Sequence, residues 1–251
     1  MSADSVALDL YFVRFPPEQP YGDESIWAHI DEQVMSPELR RQLAALGMRA
    51  GVVGGGVPLG LERLIRDAAS TSAVPSEGPA PSDITREPAI VRRHLQLRAG
   101  HRGEVVTSRT YPSLPLLELR GGEVCGQTYE QAQARFELTA YPQGDGRVRL
   151  QLLPELHHGQ PRSQPVVREG AVMLTTAKPR KVFEAARLET HLAPGQMLVV
   201  GAIGGRTGSL GHYFFTDTAS EPHCRKLLIV RLTQTQHDEL FGPDLVPLSG
   251  E

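Results

Sequence analysis

The chain has 251 residues, 40% hydrophobic and 22% charged, with a net charge of −3. That size fits one large β domain or a small α/β unit joined to a β domain, and the weak charge gives no reason to expect nucleic acid or an anionic membrane as partner. Two cysteines, Cys125 and Cys224, are too few for a disulfide framework, and no apolar stretch reaches the ~20 residues of a transmembrane helix.

The opening residues, Met1-Ser-Ala-Asp-Ser, show no basic region followed by an apolar one, so no signal peptide is visible and a cytoplasmic location stays open. Residues 6–15 alternate as a strand, with Val6, Leu8, Leu10 and Phe12 on one face and Val13 and Phe15 on the other. Pro16-Pro17 ends it, and Ser25 is a cap for a short helix holding Ile26, Trp27 and Ile30. Ser36 then stands as N-cap with Pro37 at the first helical position and Glu38 in the positive first turn. Leu39, Leu43 and Leu46 form one apolar stripe, and Gly47 supplies the left-handed stop. The spacing predicts a helix with all three leucines buried, then a strand over 48–53 and a third helix over 58–68.

Residues 1–68 thus read as a small α/β unit. Residues 69–87 are rich in Ser, Pro, Ala and Gly without periodicity, which predicts a linker. From 88 to 236 the pattern is short strands and turns, and 237–251 is a polar tail. The fold class expected is α+β, the α/β unit followed by a mainly antiparallel β domain. Pro115 places its strand at an edge or bulge. Phe136, Leu138 and Ala140 share a face, Gly144-Asp145-Gly146 makes a hairpin turn, and Val148, Leu150 and Leu152 alternate with Arg149 and Gln151. Residues 166–176 and 181–192 are expected to pair across 177–180. A second hairpin is expected at Pro194-Gly195, so that Leu188, Leu192, Leu198 and Val200 join the earlier strands in one sheet system. Residues 197–200 and 227–232 are continuous apolar runs, as in strands buried on both faces.

Candidate chemistry is sparse. Gly54-Gly55-Gly56 follows a strand and precedes a helix, but its spacing matches no phosphate-binding motif and reads as a tight turn. The run from Gly201 to Gly208 leaves a strand and enters no expected helix. It reads as a flexible loop in which Arg206 is the one anion donor. Ser209 lacks the glycine that a nucleophile elbow needs two positions before it, where Thr207 stands. His157-His158, His191, His212 and His223-Cys224 lack paired ligand spacing, although His212 and His223-Cys224 flank Tyr213-Phe214-Phe215. Glu155 beside His157 is a general acid/base candidate at the end of a strand, where charged rim residues are also ordinary. Arg40-Arg41 and Arg92-Arg93 read as solvated faces. No catalytic, cofactor or metal residue is therefore expected. Two alternatives stand beside that expectation: a small hydrolase or metal enzyme with its site near Glu155, His157, His212 and His223, and a monomeric ligand-binding β domain.

Leu138-Thr-Ala-Tyr-Pro142, the run Gly144-Asp-Gly-Arg-Val-Arg-Leu-Gln-Leu-Leu-Pro-Glu155, Pro194-Gly-Gln-Met-Leu-Val-Val-Gly201, Leu210-Gly-His-Tyr-Phe-Phe215 and Lys226-Leu-Leu-Ile-Val-Arg-Leu232 follow one another in a recognisable order. Together they resemble the C-terminal core of the bacterial secretins, the ring-forming outer-membrane channels of type II and type III secretion and of type IV pili. The chain is identified as a short, divergent relative, with Gly201-Ala202-Ile203 where the family carries Gly-Gly-Leu. The resemblance implies a non-enzymatic structural protein of the cell envelope, periplasm or outer membrane, assembling with copies of itself or with other envelope proteins, and needing no cofactor. Membrane insertion of the segment 160–190 is not expected. Arg168, Glu169, Lys178, Arg180 and Lys181 crowd its turn, whereas a spanning strand needs about 9–11 residues with an apolar outer side.

Overall fold

The computed structural model describes residues 4–15, 24–54, 62, 90–120, 123–168, 171–217 and 224–236. Its fold is mainly antiparallel β with few helices, organised among the described residues as two six-stranded sheets that share one apolar core, and a separate two-stranded hairpin.

Sheet I runs in the order β2 (Met48–Val53), β12 (Met197–Ala202), β14 (Cys224–Gln236), β1 (Ser5–Phe15), β3 (Ile90–Arg98), with the two-residue β13 (Thr216–Asp217) also on β14. The apolar runs at 197–200 and 227–232 sit in its middle and are buried on both faces, as their continuity requires. Leu198, Val200, Leu228, Val230 and Leu232 point to the shared core, while Met197, Val199, Leu227 and Ile229 point outward. The short helix α1 (Glu24–Trp27) and the turn after it cover that outer side with Ile26, Trp27 and Ile30. Arg49 stacks over the Trp27 ring at 4.3 Å.

Sheet II is built on β6 (Glu123–Pro142) and β7 (Val148–His157), joined through the turn at Gly144-Asp145-Gly146. Gly146 takes φ +79°, the left-handed value that lets the turn close with Gly146 N–H donating to Gln143 O. β4 (Gly103–Val106) lies on the other side of β6. β10 (Arg180–Val182) and β11 (Leu188–Leu192) lie end to end along β7. Phe136, Leu138, Ala140, Val148, Leu150 and Leu152 are all fully or almost fully buried, the one-sided burial that period-two alternation predicts.

α2 (Pro37–Ala45) forms where its cap predicts: Ser36 Oγ accepts from Leu39 N–H at 3.2 Å, and Gly47 takes φ +74° after the last turn. Leu43 is 1% exposed, whereas Leu39 and Leu46 are half-buried against the same core. A further helix, α3 (Leu210–Phe215), places Phe214 and Phe215 in the shared core, with Phe214 edge-on to Phe136 at 4.9 Å between centroids. The glycine-rich run therefore does enter a helix, contrary to expectation. Ser209 caps it, its Oγ accepting from His212 N–H at 3.2 Å.

Several expectations need correction. The α/β unit expected over 1–68 is not set apart in the strand pairing, because β1 lies between β14 and β3 and β2 pairs with β12. Those strands carry apolar side chains on both faces, and the core that buries their inner face is shared with sheet II, which residues 1–68 do not supply, while Ile26, Trp27 and Ile30 cover the outer one. Pro194-Gly195 does not close a hairpin. Leu192 pairs with Val148 in sheet II and Met197 with Arg231 in sheet I, so the turn carries the chain from one sheet to the other. Residues 166–176 do not pair with 181–192. Instead β8 (Arg162–Arg168) pairs with β9 (Ala171–Ala177) as a separate hairpin. The third helix over 58–68 apart from Glu62, the linker 69–87, the tail 237–251, Gly55-Gly56 and His223 lie outside the described residues.

Candidate functional site

Two hairpins extend beyond the paired body of sheet II. The first is formed by β5 (Tyr111–Arg120) with the N-terminal half of β6. β6 changes partner near Gln131, whose φ of +51° breaks the regular strand. Glu123 to Glu130 and, just past Gln131, Ala132 pair with β5, and Gln133 to Pro142 pair with β7. One face of this hairpin is buried through Leu114, Leu116 and Tyr129. The opposite face carries Leu117, Leu119 and Val124, exposed by 47, 58 and 70%. Leu119 and Val124 are direct cross-strand partners, so the apolar groups sit together rather than scattered. Among the described residues no strand but β6 pairs with β5, as Pro115 predicts for an edge, although that edge is capped in part where Leu117 N–H donates to Gly208 O at 2.9 Å and Pro115 O accepts from Tyr213 Oη at 2.8 Å.

The second hairpin is β8–β9, whose strands pair only with each other among the described residues. Its base is tied to the first. Gly159 N–H donates to Glu130 O at 2.7 Å, Lys178 Nζ donates to Gln131 O at 3.3 Å, and the His158 ring meets Tyr129 edge-on at 4.8 Å. Burial holds His158 below the usual imidazole range, and the nearby charges of His157, Arg162 and Lys181 push the same way. Lys181 also ion-pairs with Glu118 of β5. The two hairpins thus leave the body side by side.

At the foot of β8–β9 lies the acid/base candidate. Glu155, 3% exposed, contacts His157 Nε2 through Oε2 at 2.7 Å and accepts from Arg180 Nη1 through Oε1 at 2.8 Å. Arg180 also reaches Glu137 at 3.4 Å, and Arg102 pairs with Glu137 at 3.1 Å. Both Glu155 oxygens are occupied, so the pair predicted from the sequence is formed but is part of an ion-pair network pinning β10 to β7. The other described candidate residues do not join it. His212 lies in α3 with its ring against Tyr213, and Ser209 is a helix cap. Arg206 donates to the carbonyl of Ala44 at the end of α2. His191 is an exposed position of β11. No group of three or more His, Cys, Asp and Glu is placed to hold a metal ion among the described residues. Cys125 and Cys224 are not joined in a disulfide.

A second polar cluster escapes the sequence reading. Asp9, in the middle of β1, is only 2% exposed. Its Oδ2 accepts from Arg92 Nη2 at 2.7 Å and its Oδ1 faces His94 Nδ1 at 3.1 Å, both from β3. Burial pushes the Asp9 carboxyl up, but the Arg92 and His94 hydrogen bonds and charges outweigh it and hold the group below its ordinary value. Arg92 is therefore not merely part of a solvated face. The one available signal is an acid at the centre of an otherwise apolar strand. No family model matches this sequence, and no curated protein or solved structure is significantly similar to it.

Proposed function

We propose that this chain is a non-enzymatic, secretin-like assembly protein of the bacterial cell envelope, joining copies of itself or other envelope proteins of a secretion complex through its two projecting hairpins. The observation that carries this reading is the exposed apolar face of Leu117, Leu119 and Val124, toward the end of a hairpin whose outer edge pairs with no further strand among the described residues. Open edges and clustered apolar groups are what strand pairing between protomers covers. The order of the secretin-like motifs supports the same reading, as does the saturation of Glu155 by Arg180 and His157, which leaves that carboxylate no free oxygen for a substrate.

The native mass of the full-length protein, measured by light scattering in buffer and in detergent, tests it. A multimer is expected, and Leu119→Glu with Val124→Glu should convert it to the monomer while leaving the circular dichroism spectrum unchanged. A wild-type monomer in both media overturns the assembly function. A multimer that survives the double substitution overturns the role given to the hairpin.

A further inference from the structure

Beside the β3 edge, the outer face of sheet I dips into an open depression of about 360 Å³, floored by Asp9 and walled by Arg92, His94, Gln96, Thr233 and Gln234. Neither hairpin contributes to it, so a role for this depression is independent of the assembly reading. The Arg92 and His94 hydrogen bonds and charges outweigh the cost of burying the Asp9 carboxylate, while the Arg92 and His94 side chains themselves stay 62 and 60% exposed. The arrangement also gives those two side chains direction. The Asp9 carboxylate fixes one edge of the Arg92 fork through Nη2, and the Tyr11 ring lies under the guanidinium at 5.7 Å. His94 is fixed through Nδ1, so Nε2 is the polar atom it has left to offer.

We propose that this depression is an oxyanion-binding site in which Arg92 and His94 contact the ligand and Asp9 positions them. Arginine has further N–H donors beyond the one held by Asp9. His94, held at Nδ1 by the Asp9 carboxylate, offers Nε2 to the anion. Gln96 and Gln234 add side-chain amides at the rim. A cation is disfavoured because both Asp9 oxygens already face donors. The ligand chemistry is a phosphate or carboxylate group. It arrives either on a small phosphorylated molecule or on an acidic peptide lying along β3, which pairs only with β1 among the described residues.

Two-dimensional NMR titrations of the full chain with inorganic phosphate and, separately, with a hexaglutamate peptide test the proposal. At least one probe should produce saturable shifts centred on His94, Gln96 and Gln234. Saturation by phosphate alone assigns the small-molecule source, and saturation by the peptide alone assigns the acidic segment. His94→Asn keeps an amide donor at the Nδ1 position, toward Asp9, but has no atom in the place of Nε2. Arg92→Lys keeps the charge against Asp9 but loses the fork. Each should weaken binding by about tenfold, the worth of one charge-assisted hydrogen bond. Absence of saturable shifts with both probes overturns the proposal. So does unchanged affinity in both variants.

Discussion

Gly211 lies where α3 crosses the junction between α2 and β2, and an alanine there has no room. An added Cβ would stand 2.0 Å from the carbonyl oxygen of Gly47 and 2.5 Å from its carbon, against a floor of 3.0 Å for real Cβ contacts. Both atoms are backbone and cannot rotate aside, so α3 must move away. That movement breaks the hydrogen bond from Gly211 N–H to Leu46 O, now 2.8 Å, and disturbs Phe214 and Phe215 in the shared core. Overpacking costs about 1–3 kcal/mol and a buried hydrogen bond left unmade a similar amount. The gain in helix propensity from Gly to Ala returns about 1 kcal/mol. Gly211→Ala should therefore destabilise by about 3 kcal/mol net, read as a lower urea midpoint with an unchanged slope. Gly126→Ala is the control. Its Cβ would meet Leu117 Cδ2 at an ordinary 3.5 Å on extended backbone, so the variant should match the wild type or gain about 0.5 kcal/mol. A Gly211→Ala midpoint no lower than that of Gly126→Ala would refute the reasoning, because helix propensity would then outweigh the clash.

Two further outcomes concern buried ionisable groups. Burial pushes the Tyr111 phenol up to about 12, with Asp217 adding to the rise and Arg109 opposing it. The folded pKa exceeds the unfolded value near 10, so this contribution is complete below pH 10 and is lost as pH climbs toward 12. Tyr111→Phe should remove that loss from an alkaline stability profile. It should also cost about 1 kcal/mol at neutral pH, since the hydroxyl donates to Tyr213 O and Thr216 O. For Asp9 the sign reverses. A folded carboxyl held below 3.8 contributes stability above that value and loses it as pH falls further, so Asp9→Asn should flatten the acid limb of the profile. A variant that denatures in acid as steeply as the wild type would show that other carboxylates dominate.

What could be read in the sequence was local. Ser36, Pro37 and Gly47 mark α2 because capping depends on a few neighbouring backbone groups. The alternation through Phe136 to Ala140 and Val148 to Leu152 marks β6 and β7 because side-chain direction has period two. Glu155 and His157 were legible as neighbours because i and i+2 share a strand face. What could not be read was partnership at a distance. Pro194-Gly195 carries the same turn chemistry whether the next strand folds back or crosses to the other sheet. Only the burial of Leu198 on one face and Val199 on the other settles it. Asp9 and His94 lie 85 positions apart, so no spacing rule connects them.

The place of β1 has a consequence for how the chain acquires its structure. Val6 faces Thr235, and Phe12 faces Leu228, so an interior strand of sheet I finds one of its two neighbours only near the end of the described chain. β6 and β7, by contrast, are joined by a tight turn. Contacts between such remote segments close slowly, whereas local hairpins form within microseconds. During synthesis β1 emerges long before β14 and stays without that neighbour, apolar on both faces, until β14 leaves the ribosome. Sheet II should be protected from hydrogen exchange early in refolding, and sheet I should form in one late step that a truncation before Cys224 abolishes.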